Sequence, residues 1–151
     1  MLQLARAGDR ASIDRLARQL HGLRTQWIAD ICHDVDELWS QSRFDDAVKQ
    51  RQLFCALVDD EIVGYVLVRI DNLDLPGYRK SRILYIDELC VEETLRNRGI
   101  GTEMIMEVRA IAKAFGCAGI QFGVYPQNNE ALAFFHKCGF RISKVDMQAK
   151  V

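Results

Sequence analysis

The sequence predicts a single α/β domain, built as a mixed, mostly antiparallel sheet with helices on both faces. Three observations lead there. Two apolar runs, residues 53–58 and 62–70, flank the short polar connector Asp59-Asp60-Glu61, which is a hairpin pattern. The run 82–91 is apolar at both alternating sets of positions. Ile83, Leu89 and Val91 fall on one face and Leu84, Ile86 and Cys90 on the other, as in a central strand covered on both sides. Beyond it, strands alternate with helical patterns, as crossover units do. At 151 residues the chain has the size of one domain, and no linker or repeat divides it.

The elements follow in order. Residues 2–7 predict a short strand, broken by Gly8-Asp9. Asp9 is placed to cap a helix over residues 10–21, where Ile13, Leu16, Leu20 and Leu23 recur at helical spacing. Residues 26–52 lack proline and glycine, which predicts helix for much of the stretch with a break near residues 40–43. It gathers Trp27, Trp39 and Phe44 among Asp30, Asp34, Asp36 and Glu37. This is either an amphipathic helix pair with a solvated acidic face or an aromatic and acidic wall for a cationic acceptor. Residues 71–81 form a polar loop with the turn dipeptide Pro76-Gly77. After the central strand, Met104, Val108, Ile111, Ala112 and Phe115 mark one stripe of a helix that Gly116 stops. A strand over 118–125, a turn at 126–129, a helix over 130–138 and a last strand over 140–147 complete the chain.

Bulk properties exclude several classes. A net charge of −1 offers no broad basic face for nucleic acid. No apolar stretch approaches membrane-spanning length. Five cysteines, an odd number without CxxC spacing, predict reduced thiols and a cytoplasmic location rather than a disulfide framework or a metal site.

The segment with chemical content is Arg96-Asn97-Arg98-Gly99-Ile100-Gly101, set between a strand and a helix. Glycines let the backbone turn tightly, and the first amides of the helix point outward, unpaired. With the helix dipole and two arginines, that is an anion site or a tight turn with exposed arginines. No Walker A sequence is present, and Met104 stands where a dinucleotide fingerprint needs its third glycine.

Arg96-x-x-Gly99-x-Gly101 after an apolar strand resembles the acyl-CoA pyrophosphate loop of the GCN5-related N-acetyltransferase (GNAT) superfamily. Asn128-x-x-Ala131-x-x-Phe134-Phe135-x-Lys137-x-Gly139-Phe140 is similar to that family's second motif. The resemblance implies a splayed parallel strand pair that admits the pantetheine arm of acetyl-CoA, here the strands ending at Val91 and Tyr125. It implies pairing of pantetheine with the backbone of Leu89, Cys90 and Val91. It further implies pyrophosphate held by Arg96, Asn97, Arg98, Gly99, Ile100, Gly101 and Thr102, with Asn128 and Phe134 on the far side of the cofactor. Many members of the family form homodimers.

Acyl transfer to an amine needs a neutral nucleophile, a polarised thioester and an exit for the thiolate. Asp87 and Glu88 interrupt an apolar strand, where charge is costly unless used or paired. They are the candidate catalytic residues, Glu88 ahead of Asp87. On a regular strand they face opposite sides, so only one would reach the cleft; the family resemblance implies that a bulge here would change that. The alternative is a structural ion pair with Arg79, Lys80 or Arg82. The family's general-acid tyrosine aligns with Phe135, so thiolate protonation falls to water, Tyr125, His136 or Tyr85. Tyr85-Ile86-Asp87-Glu88 also resembles a segment of the family's polyamine acetyltransferases. The leading expectation is acetyl transfer to a primary amine of a small molecule or peptide. The alternatives are a non-catalytic acyl-CoA-binding module and transfer of a longer acyl group.

Overall fold

The computed structural model describes all 151 residues. Leu2–Leu4 (β1) precedes the helix Arg10–Trp27 (α1), and Gln41–Lys49 (α2) follows. Next come Leu53–Val58 (β2), Glu61–Leu73 (β3) and Ser81–Val91 (β4). Ile100–Ala114 (α3), Gly119–Gln121 (β5) and Asn129–Lys137 (α4) close the order. The five strands form one sheet in the order β1-β2-β3-β4-β5, antiparallel except for the parallel pair β4–β5.

The core has two layers, one on each face of the sheet. Ile13 and Leu16 of α1 and Phe44 of α2 bury against Leu53, Tyr65 and Cys90, with Trp39 between the helices. Met104, Ile105 and Val108 of α3 bury against Val66, Leu84 and Ile86. The helical stripe of α3 therefore includes Ile105, while Phe115 lies outside it and is half exposed.

Three expectations are corrected. Residues 28–40 are not helical, and α2 begins where a break was expected. The Ser40 hydroxyl accepts from the Arg43 amide at 3.2 Å and starts α2 there. The preceding chain finds its hydrogen bonds on α1 instead of within itself. Asp14 Oδ1 accepts from the amides of Leu38 and Trp39 at 2.8 Å each, and Arg18 donates to the Val35 carbonyl. Backbone groups satisfied by side chains have no need of a helix. The strand expected over 118–125 pairs only at Gly119–Gln121. Residues 140–147 form no strand, because their backbone finds no sheet partner.

The fourth difference lies within β4. Leu67 pairs with Glu88 while Val68 pairs with Ile86, so Asp87 is the extra residue of a β-bulge. The alternation reverses across it. Leu84 and Ile86 bury towards α3, but Cys90 buries towards α1.

Candidate active site

The bulge sits just beyond the last contact between β4 and β5. Their parallel pairing covers only Ile83–Tyr85 against Gly119–Gln121. From Ile86 to Val91 that edge of β4 has no strand partner, while its other edge stays paired to β3. A bulge bends its strand, and Asp87 lies just past the point where pairing with β5 stops. The result is a wedge between the two strands whose β4 side is Leu89, Cys90 and Val91.

At the end of β4 the chain is clamped to α1. Arg15 and Gln19 both bond the Glu92 carboxylate, and the Glu93 amide donates to Gln19 Oε1 at 2.9 Å. The hydrogen bonds from Arg15 first, then Gln19, hold the Glu92 carboxyl below the usual carboxylate range. Arg96 turns back, its Nε donating to the Val91 carbonyl at 3.2 Å. Asn97 and Gly99 adopt left-handed backbone, with φ of 62° and 88°. Gly99 is the N-cap of α3 and offers no side chain to it, so the first amides of α3 stay free of a cap. Arg98 is exposed and makes no ion pair. Ile100 and Thr102 lie in the first turn of the same helix.

Gly101 packs under α4. A Cβ on it would meet the Phe134 ring at 3.1 Å, so glycine is what lets this ring lie against α3. Asn128 caps α4, its Oδ1 accepting from the Ala131 amide at 3.1 Å. Phe135 is enclosed by Phe122, Phe134 and Phe140, with centroids 4.2, 5.0 and 5.9 Å away. His136 is exposed on α4.

The two candidate carboxylates have different surroundings. Asp87 is paired to Arg69, which also contacts Asp71 and lies over the Tyr85 ring at 4.1 Å. Glu88 is more enclosed, with a side chain 12% exposed against 30% for Asp87. Tyr65 Oη donates to Glu88 Oε2 at 2.6 Å, and Arg43 Nη2 donates to Oε1 at 2.6 Å. Arg43 also bonds the Leu38 carbonyl and stacks on Trp39, 3.8 Å from the ring centre. Neither carboxylate pairs with Arg79, Lys80 or Arg82; the actual partners are Arg69 and Arg43. Tyr65, Arg43 and Arg69 were not recognisable as site residues from the sequence. One signal existed for Tyr65, since a tyrosine inside an apolar strand needs a partner for its hydroxyl.

The aromatic and acidic stretch divides. Trp39 is fully buried, and Glu37 pairs with Arg10. Trp27 instead packs on Tyr125, centroids 6.4 Å apart, where the chain leaves β5.

Both buried cysteines are held protonated. Burial first, then the charge of Asp9, pushes the Cys55 thiol up to about 12. Burial chiefly pushes Cys90 up to about 11, partly offset by Arg96, and its sulfur lies 3.3 Å from the Leu16 carbonyl. A thiol so held is a poor nucleophile at neutral pH.

Comparison with known proteins bears on this geometry. The sequence model of the acetyltransferase (GNAT) family matches residues 18–140, well over half of the chain. The uncharacterised N-acetyltransferase YvbK of Bacillus subtilis is 26% identical over 108 residues, covering 71% of this chain and 64% of that protein. An N-alpha-acetyltransferase of Sulfurisphaera tokodaii is 32% identical over 98 residues, covering 61% of this chain and 58% of that protein. The matched stretch thus spans less than two thirds of the length of these relatives. The crystal structure of a mutant BH1408 protein from Bacillus halodurans superposes with a TM-score of 0.94 at 27% identity, covering 100% of this chain and 99% of that one. No helix of the protein is long and apolar enough to cross a membrane.

Proposed function

The chain belongs to the GNAT acetyltransferase family, and we propose that it transfers an acetyl group from acetyl-CoA to a primary amine of a small molecule or peptide by direct attack. The wedge between β4 and β5 is the observation that carries this reading. A strand edge at Leu89, Cys90 and Val91 with no strand partner suits an amide-bearing arm such as pantetheine, which would share the Val91 carbonyl with Arg96. The uncapped start of α3, with Arg96 and Arg98 beside it, suits the pyrophosphate. Phe134 of α4 packs against Gly101 in the first turn of α3, and Asn128 caps α4. Relatives named as N-acetyltransferase, N-alpha-acetyltransferase and histone acetyltransferase support an amine acceptor.

Glu88 is the base in this reading. It takes a proton from the acceptor ammonium; the freed nitrogen attacks the thioester carbonyl, the tetrahedral adduct loses its second N–H proton to solvent, the C–S bond breaks and the thiolate leaves. Solvent protonates the thiolate, since Phe135 lies in an aromatic cluster and carries no proton to give. Cys90 and Cys138 take no covalent part. Cys90 is held as the thiol, and Cys138 is the C-cap of α4, its amide donating to the Phe134 carbonyl. The reaction is cytoplasmic and uses no metal.

The test is thiol release from acetyl-CoA with a panel of primary amines, including diamines, amino sugars, amino acids and peptides. At least one amine is expected to drive release above the rate without acceptor. Saturable binding of acetyl-CoA with no release on any amine contradicts the proposal and favours a non-catalytic acyl-CoA-binding module.

A further inference from the structure

We infer that Tyr65 is a positioning residue for the base, and that Trp39 is the platform seating both of the donors that hold it. The inference rests on the assignment of Glu88 above. Each oxygen of the Glu88 carboxylate receives one strong hydrogen bond, from Tyr65 on one side and Arg43 on the other. Tyr65 lies opposite Cys90 on β3, diagonal to Glu88, and is fully buried. Its hydroxyl donates to Glu88 alone. Burial first, then the Glu88 charge, drives the phenol far above its ordinary range, so it stays protonated.

Trp39 ties the two donors together. The Tyr65 ring meets it edge-on, centroids 6.1 Å apart at 88°, and the Arg43 guanidinium lies on its face. Both main-chain groups of Trp39 are fixed to α1: its amide donates to Asp14, and its carbonyl accepts from Arg10 at 2.9 Å. Its indole N–H, although buried, has no hydrogen-bond partner of standard geometry. An orphaned buried donor is costly, and here it belongs to the ring that touches both donors to the candidate base.

The two donors have different capacities. A guanidinium only donates, so Arg43 requires an acceptor at Oε1 throughout a turnover. A phenol both donates and accepts. Tyr65 donates to one lone pair of Oε2 and can go on donating there once another lone pair of Glu88 carries the proton of the amine. Tyr65 thereby keeps the base in one orientation in both protonation states, acting through Glu88, since both Tyr65 and Trp39 are fully buried.

The experiment is a double-mutant cycle on the full chain, using the amine that the panel identifies. Tyr65→Phe is expected to lower kcat by about 10- to 100-fold, the cost of one hydrogen bond to a charged group. KM for acetyl-CoA is expected to stay within about twofold. In a Glu88→Gln background the same change is expected to lower kcat no further, which a merely structural role does not produce. If Tyr65→Phe fails to fold, Trp39→Phe, which keeps a ring beneath Arg43, is read in the same cycle with the same expectation. Wild-type kcat in Tyr65→Phe, or losses that multiply with Glu88→Gln, overturns the inference while leaving the base assignment standing. Full turnover by Glu88→Gln alone overturns both.

Discussion

Ile86 and Cys90 share one strand, in positions that should share one face, yet they bury on opposite faces of the sheet. The extra residue Asp87 causes this. It turns Glu88 and Cys90 towards α1 and bends β4 where its pairing with β5 stops. Deleting Asp87 makes the pairing of Leu67 with Glu88 and Val68 with Ile86 continuous and leaves both faces correctly buried. The variant is expected to melt cooperatively. Its straightened β4 closes the wedge, and turnover is expected to fall by at least about tenfold. Circular dichroism and thiol release check the two halves separately.

The adjacent carboxylates are expected to part in function. Glu88→Gln should lower kcat by about 10²- to 10⁴-fold, the range of general-base catalysis, with KM for acetyl-CoA little changed. Asp87→Asn weakens an exposed pair with Arg69 and should keep kcat within about threefold. Steady-state kinetics of both variants on one amine decide it. Equal losses assign the chemistry to the pair rather than to Glu88.

The loop before α3 separates backbone strain from charge. Gly99 sits at φ 88°, and Gly99→Ala is expected to cost about 1–2 kcal/mol of stability by chemical denaturation. Arg98 makes no ion pair, so Arg98→Gln should leave stability unchanged. It should raise KM for acetyl-CoA by about tenfold through a lost charge-assisted bond to phosphate.

Stability should fall at both ends of the pH scale for identified reasons. Cys55 and Cys90 have raised folded pKa values, about 12 and 11 against an ordinary 9.0. Their contribution is fully present below 9 and is lost as pH rises through those values, because the unfolded thiols ionise first. Cys55→Ala/Cys90→Ala is expected to show a flatter alkaline decline. Glu92 works in the other direction. Its folded pKa is lowered, so its contribution is present above the ordinary carboxylate range and lost as pH falls. Glu92→Gln should therefore be less stable than the parent at neutral pH and converge with it in acid. Melting temperatures across pH test both signs.

Legibility tracked where the hydrogen bonds go. The hairpin of β2 and β3, the central β4, and helices α3 and α4 carry their own apolar period, and the sequence shows it. Residues 28–40 were opaque because their backbone is satisfied by Asp14 and Arg18, distant in the chain. The apolar pattern of β4 does not show the bulge, because it stays intact with an extra residue beside a second carboxylate; only the family resemblance pointed to one. Glu88 was visible as a charge in an apolar strand. Its holders were not, since the only signal for Tyr65 is a hydroxyl inside an apolar strand, which names no partner, and Arg43 falls in the expected break between helices. The final strand was wrong because alternation in residues 140–147 says nothing about whether a partner edge is available.

The most direct test of the central claim is a crystal structure of the protein with bound coenzyme A. The account predicts pantetheine along the open edge at Leu89, Cys90 and Val91, pyrophosphate at residues 96–102, and the sulfur on the side of β4 that Glu88 faces. Coenzyme A bound away from the β4–β5 wedge, or a sulfur out of reach of any amine held by Glu88, contradicts it.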